Sequence, residues 1–118
     1  MSRIALLRLA AALCFLAVAL GAFGAHALKA ALQSSGMLEV WNTAVLYHFL
    51  HDVALVALAL HGAGNRPTCF LFVAGILLFS GSLYAMALTN IHWLGAITPL
   101  GGVCFLAGWV WLVIAPRV

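Results

Sequence analysis

Hydrophobic residues in this chain fall into four long runs separated by short polar connections. The runs are residues 4–25, 37–61, 67–89 and 94–115. At about 1.5 Å per residue, each run is long enough to cross a hydrocarbon layer of about 30 Å as one α-helix. The pattern therefore predicts an all-α integral membrane bundle of four transmembrane helices, forming one domain over residues 1–118.

The connection after the first run predicts a short helix at the membrane interface. It combines the apolar Leu28 and Leu32 with the polar Lys29 and Gln33, as one or two helical turns at a bilayer surface do. A Ser-Ser-Gly sequence then ends it.

The first run also has the features of a secretory signal peptide, since Arg3 and Arg8 flank the start of an apolar stretch that ends in small residues. We expect it to stay in the protein as the first span. Ala17, Gly21 and Ala25 recur every four residues, and such small-residue faces let a second helix approach closely.

A proline inside the fourth run leaves two interpretations. The run is either one helix from residue 94 with Pro99 inside it, or a helix that Thr98 caps and in which Pro99 is the first residue. The second interpretation leaves residues 90–97 irregular, which at membrane depth requires cover from protein.

Composition agrees with a membrane protein. Hydrophobic residues make up 67% and charged residues 6% of the chain, whereas about a quarter of a soluble domain is charged. The net charge of +3 is too small and too scattered for nucleic-acid binding. The three cysteines lie in separate apolar runs, where a cysteine behaves as a small hydrophobic residue.

The positive charges predict the orientation of the bundle. If the chain has four spans, four of its five Lys and Arg residues lie on the side of the termini, and only Lys29 lies on the other side. The four are Arg3, Arg8, Arg66 and Arg117. Because positive loops stay in the cytoplasm, both termini are expected there. The expected location is a bacterial inner membrane, or an organellar membrane in a eukaryote.

Ionisable residues interrupt the second run. Tyr47, His48, His51 and Asp52 lie within six positions, and the two histidines and the aspartate share one helical face. Charged or titratable groups at membrane depth are costly and face the protein interior, which makes them a hypothesis for a functional site.

Further polar residues are expected near this face, in the outer half of the bundle. The candidates for a polar cluster or ligand site are His26, Tyr47, His48, His51, Asp52, Ser80, Tyr84 and Thr98. We expect four of them to converge, namely His26, Tyr47, His51 and Tyr84. They form either a structural hydrogen-bond network, which we favour, or a site for a small ligand, a metal ion, haem or protons.

No metal site, cofactor or catalytic residue is predicted. The histidine spacing alone lacks ligands from a second helix, and the chain has neither a phosphate-binding loop nor a nucleophile elbow. An enzymatic activity is therefore not expected. Separately, glycines are expected at helix contacts, at Gly21, Gly24, Gly81, Gly101 and Gly102.

Four segments together resemble a known family. They are GAFGAHALKA from Gly21, WNTAVLYHFLH from Trp41, FSGSLY from Phe79 and LGAITPLGG from Leu94. The set resembles the domain-of-unknown-function 423 family, also called the YgdD or transmembrane protein 256 family. The resemblance implies a small multi-pass membrane protein whose activity is not established.

The chain departs from the family pattern at Asp52, where the resemblance implies a small residue. It therefore implies shared roles for His26, Tyr47 and His51 rather than for the carboxylate. We expect a structural, assembly or accessory component of the membrane. Its expected partners are the lipid bilayer and either a second copy or another membrane protein.

Overall fold

The computed structural model describes residues 1–61 and 65–117. The helices are α1 (Arg3–Ala25), α2 (Lys29–Ser34), α3 (Leu38–His61), α4 (Arg66–Thr89) and α5 (Thr98–Ile114). A 3₁₀ turn, His92–Ala96, precedes α5 and continues its span. Within the described residues there is no strand, and four spans are long and apolar enough to cross a membrane. The predicted all-α bundle with a short helix after the first span is confirmed.

The spans form two antiparallel hairpins. One is α1 with α3, joined through α2, and the other is α4 with α5. The second half of α4 packs on α3 and so joins the hairpins. The molecule is 46 Å long, which matches a bilayer of about 40–45 Å including its headgroups.

Hydrogen bonds tie both chain ends to the end of the bundle where α3 ends and α4 begins. The Arg3 guanidinium donates to the carbonyls of Ala59 and Leu60, in the last turn of α3, with a distance of 2.9 Å to Ala59. The Asn65 amide donates to the carbonyl of Arg117 at 2.8 Å and accepts from its N–H at 3.2 Å. We call this the termini end and the other the α2 end.

The connection between α4 and α5 is not α-helical. Asn90 ends α4 in the left-handed conformation (φ 57°), which asparagine tolerates better than most residues. α5 then begins at Thr98 with Pro99 in its first turn, where the missing N–H is not needed. The Thr98 hydroxyl does not cap the helix, because it contacts the hydroxyl of Ser82 at 2.6 Å.

Of the five glycines expected at helix contacts, Gly24 and Gly101 allow a close approach. A Cβ at Gly24 would lie 2.3 Å from the Trp41 indole nitrogen, and one at Gly101 would lie 2.2 Å from the backbone nitrogen of Phe79. At Gly21 the nearest atom is 3.3 Å away, on Val45. At Gly102 and Gly81 the nearest atoms are 3.8 and 4.0 Å away, so neither is tightly enclosed.

The buried face of α1 repeats every seven residues. Its buried positions are Ala10, Ala17 and Gly24, whereas Gly21 is half-buried and Ala25 is exposed. The face that packs on α3 therefore differs from the one that Ala17, Gly21 and Ala25 would form.

The apolar core has two parts. Towards the termini end lies a cluster of Ala10, Leu55, Cys69, Phe72, Ile76 and Phe105. Towards the α2 end lies a cluster of Leu32, Met37, Trp41 and Ala87. The ionisable residues of α3 lie between these two clusters along the helix, near the middle of the bundle.

Candidate functional site

A stripe of buried residues runs along α3 because polar and small residues recur every three or four positions. His48 and His51 are each 3% exposed, and Asp52 is 0% exposed. All three therefore face protein rather than lipid, as expected for ionisable groups at this depth. They nevertheless have different partners.

His51 is fixed between α3 and α5. Its Nδ1 lies 2.8 Å from the carbonyl oxygen of Tyr47, and its Nε2 lies 3.0 Å from the indole nitrogen of Trp109. A carbonyl only accepts and an indole N–H only donates, so Nδ1 carries the proton and Nε2 is the acceptor. The imidazole also stacks on Phe105, with ring centroids 3.7 Å apart. Both nitrogens are thus occupied in a neutral ring, and neither is free to bind a metal ion or haem.

His48 is the centre of a second polar group. Its Nε2 lies 3.1 Å from Oδ2 of Asp52 one turn away, and its Nδ1 lies 2.9 Å from the hydroxyl of Tyr84 on α4. At this distance the Nε2–H is not aligned with the carboxylate as in a full hydrogen bond, and Nε2 has no other partner among the described protein atoms. Among the described protein atoms, neither carboxylate oxygen of Asp52 has a hydrogen-bond partner.

Serine hydroxyls join helices at two further points. Ser80 donates to the carbonyl of Ala44 on α3 at 2.8 Å, in a fully buried contact. Ser82 donates to the carbonyl of Phe79, and the Thr98 hydroxyl on α5 then donates to Ser82. Ser80 closes a π-helical stretch, Ile76–Ser80, and such stretches are frequent at functional sites.

The expected convergence of His26, Tyr47, His51 and Tyr84 is not what the structure shows. Tyr84 joins His48, whereas His51 faces Trp109. Tyr47 is 41% exposed and bonds His51 through its backbone, and His26 is exposed at the end of α1. Within residues 1–61 and 65–117, no three His, Cys, Asp or Glu side chains come together as a metal site requires.

Trp109 and Thr68 form hydrogen bonds across the bundle although neither was among the sequence candidates. Trp109 lies near the termini end of α5 and donates to His51. Thr68 donates to the carbonyl of Gly108 on α5 at 3.2 Å and is fully buried. Their partners are 58 and 40 positions away, so no local pattern marks either residue.

The profile of the family described as "Protein of unknown function (DUF423)" matches residues 20–102. The chain belongs to this family. The DUF423 match includes His48, His51, Asp52 and Tyr84, whereas Phe105 and Trp109, which contact His51, lie beyond residue 102. The resemblance expected from the sequence is confirmed.

Curated relatives carry the name UPF0382 membrane protein. YwdK of Bacillus subtilis is 49% identical over 106 residues, covering 85% of each chain. The Haemophilus influenzae protein is 40% identical over 81% of this chain and 80% of its own. The Schizosaccharomyces pombe protein C1782.12c is 36% identical over 84% of this chain and 90% of its own. No solved structure matches the chain. The DUF423 family and the four apolar spans make this a multi-pass membrane protein of unknown activity.

Proposed function

We propose that this protein is a structural or accessory component of the membrane, in which polar side chains mainly hold the spans together. The observation that carries the proposal is the pair of bonds on His51. Its donor nitrogen reaches a carbonyl and its acceptor nitrogen receives an indole N–H, so the side chain has no hydrogen-bonding capacity left for a ligand. No catalytic step is part of the proposal.

Other polar groups of the spans support the same conclusion. The Trp41 indole donates to the carbonyl of Leu20 at 2.9 Å and so joins α3 to α1. Ser80 joins α4 to α3, and Thr98 joins α5 to α4. Every neighbouring pair of spans thus shares a side-chain hydrogen bond, which compensates for the absence of a hydrophobic force between helices in lipid.

His51→Ala tests the proposal through stability. The substitution leaves the Trp109 N–H and the stacking face of Phe105 without their partner, and we expect the free energy of unfolding to fall by about 1–3 kcal/mol. The measurement is the unfolding midpoint of the full-length protein in detergent. The control is His92→Ala, at an exposed residue before α5. An unchanged or higher midpoint for His51→Ala would contradict a structural role, because groups held for function are often destabilising.

We also propose that both termini face the cytoplasm across a bacterial inner membrane. Four arginines belong to the termini end: Arg3, Arg8, Arg66 and Arg117. Lys29, in the interfacial α2, is at the opposite end. This asymmetry is the one that fixes orientation in multi-pass proteins.

A structural component acts through contact with a second copy or with another membrane protein. The lipid-facing side of α1 is apolar, with Phe15 74% and Val18 63% exposed, so this helix is available to such a neighbour. Native mass spectrometry of protein extracted from its own membrane tests this part. A stable particle heavier than the 12.5 kDa chain supports it, and a single chain without any partner contradicts it.

A further inference from the structure

The structural role proposed above does not account for Asp52. Its side chain is 0% exposed, and neither carboxylate oxygen has a hydrogen-bond partner among the described protein atoms. A buried carboxyl that only held helices together would have its oxygens hydrogen-bonded, as most buried polar atoms in proteins do. An unsatisfied buried carboxylate instead destabilises the bundle.

Few titratable side chains lie near Asp52 among the described residues. On α3 these are His48, at 3.1 Å, and His51, whose two nitrogens are already occupied. α4 contributes the Tyr84 hydroxyl, and α1 contributes the thiol of Cys14.

α5 carries no acidic or basic residue between Thr98 and Ile114. Among the described residues, His48 is therefore the one side chain that can carry a positive charge beside Asp52 while His51 keeps both of its hydrogen bonds. Once a proton is taken up, the pair is either imidazolium with carboxylate or neutral imidazole with carboxylic acid, and both forms hold that one added proton.

The surroundings of the pair differ towards the two ends of the bundle. Towards the α2 end, His48 meets the half-buried Tyr84, whose ring packs edge-on against Trp41 with centroids 4.9 Å apart. Towards the termini end, the apolar cluster that contains Leu55, Phe72 and Ile76 lies next along the helices. Among the described residues, the polar contacts of Asp52 thus continue through His48 to Tyr84, towards the α2 end.

We propose that Asp52 and His48 form a proton-binding site in the middle of the bundle, which exchanges protons with the α2 end through Tyr84 and is closed towards the termini end. Uptake begins with a carboxylate and a neutral His48 protonated on Nε2. The imidazole rotates to align its Nε2–H with the carboxylate 3.1 Å away, and this proton then moves to Asp52 while Nδ1 takes the proton of the Tyr84 hydroxyl. A proton from the medium then restores the Tyr84 hydroxyl. The protein has gained one proton, and the proton of His48 has changed from Nε2 to Nδ1.

Infrared difference spectroscopy tests the site directly, because the chain has only two acidic side chains, Asp52 and Glu39. The full-length protein in nanodiscs of neutral lipid is titrated from alkaline to acidic pH. We expect the carbonyl stretch of a protonated carboxyl in an apolar environment to grow as the pH falls. The band should be lost in Asp52→Asn and kept in Glu39→Gln, whose residue is exposed at the start of α3.

Absence of such a band in the wild-type protein, or its survival in Asp52→Asn, would overturn the proposal. His48→Gln provides a second check should Asp52→Asn not fold. This variant keeps the carboxyl but removes its imidazole neighbour, so the band should remain and shift. An unshifted band would show that His48 does not share the proton.

The direction of exchange is tested by rapid pH jumps on vesicles with the protein in one known orientation. Acidification on the α2 side should protonate Asp52 several-fold faster than acidification on the termini side. Tyr84→Phe should slow this uptake several-fold without changing its final extent. Tyr47→Phe is the matched control, because Tyr47 is 41% exposed and its hydroxyl is not part of the proposed path through His48 and Tyr84. Equal rates from both sides, or a wild-type rate in Tyr84→Phe, would contradict a one-sided path.

Discussion

At the scale of single residues, Trp109 shows how a lipid-exposed side chain can order a buried one. The residue is 40% exposed, yet its indole N–H reaches a histidine that is 3% exposed. The ring also packs on Phe72, with centroids 4.8 Å apart. Because this N–H is the only polar atom of the side chain, the bond to His51 fixes which way the ring turns.

Trp109→Phe is expected to destabilise the bundle, since it leaves Nε2 of His51 buried without a donor. The expected loss is about 1–3 kcal/mol in the free energy of unfolding, measured by thermal unfolding in detergent. Trp111→Phe is the control. It removes the same ring volume from a residue that is 42% exposed and is expected to have a small effect. Equal losses in the two variants would mean that the indole bond contributes nothing.

The sequence predicts that His48, His51 and Asp52 share a buried face, because helical spacing and the cost of charge in lipid are local properties. It does not predict their different environments. Tyr84 lies 36 positions from His48, and Trp109 lies 58 positions from His51. Those pairings depend on how α4 and α5 rotate against α3, and no periodicity along α3 encodes that rotation.

At the scale of helices, the backbones of α4 and α5 approach each other closely at Gly101. Gly101 lies against the backbone of Phe79 inside the π-helical stretch Ile76–Ser80. The π-helical turn of α4 therefore contacts α5 at a residue that has no side chain. Two neighbouring contacts follow the same principle, since Gly75 faces the ring of Phe105 and Gly108 faces that of Phe72.

Gly101→Ala should separate α4 from α5, because its Cβ would lie 2.2 Å from a backbone atom that cannot rotate away. We expect a loss of about 1–3 kcal/mol, as for other overpacked contacts, measured by detergent unfolding. Gly102→Ala is the matched control, with its nearest neighbour at 3.8 Å. Alanine there should be neutral or add up to about 1 kcal/mol through helix propensity. A larger loss of stability in Gly102→Ala than in Gly101→Ala would contradict the rotation of α5 in this structure.

Hydrophobic runs are enough to predict the four spans, because their length reflects the bilayer thickness. They do not reveal the π-helical stretch, since its residues are as apolar as their neighbours. Nor do they separate Gly101, which faces Phe79, from Gly81, which has open space. Both are glycines in apolar runs, and only the packing between helices distinguishes them.

At the scale of the whole molecule, charge and hydrogen bonding coincide at the termini end. Arg3 bonds the last carbonyls of α3, where a positive charge also favours the negative end of the helix dipole. Asn65 fastens the start of α4 to the backbone near the end of α5. The same end thus anchors both hairpins and carries most of the positive charge.

Reporter fusions test the proposed orientation. A fusion at the C-terminus should report a cytoplasmic location, and one inserted after Ser35, between α2 and α3, should report an external location. The physical reason is the excess of arginine at the termini end. An external C-terminus would contradict the orientation, although the order of the spans would remain.

Asp52 and its histidine partner enter the membrane on the same helix. α3 has the lowest mean hydropathy of the four spans, 1.6, and a lone carboxylate at the centre of a helix costs about 2.5–3.5 kcal/mol on insertion. His48 is one turn away, so Asp52 has a partner that can share its proton before α4 and its Tyr84 have been synthesised. We therefore expect α3 to insert into the membrane before the rest of the bundle has been synthesised.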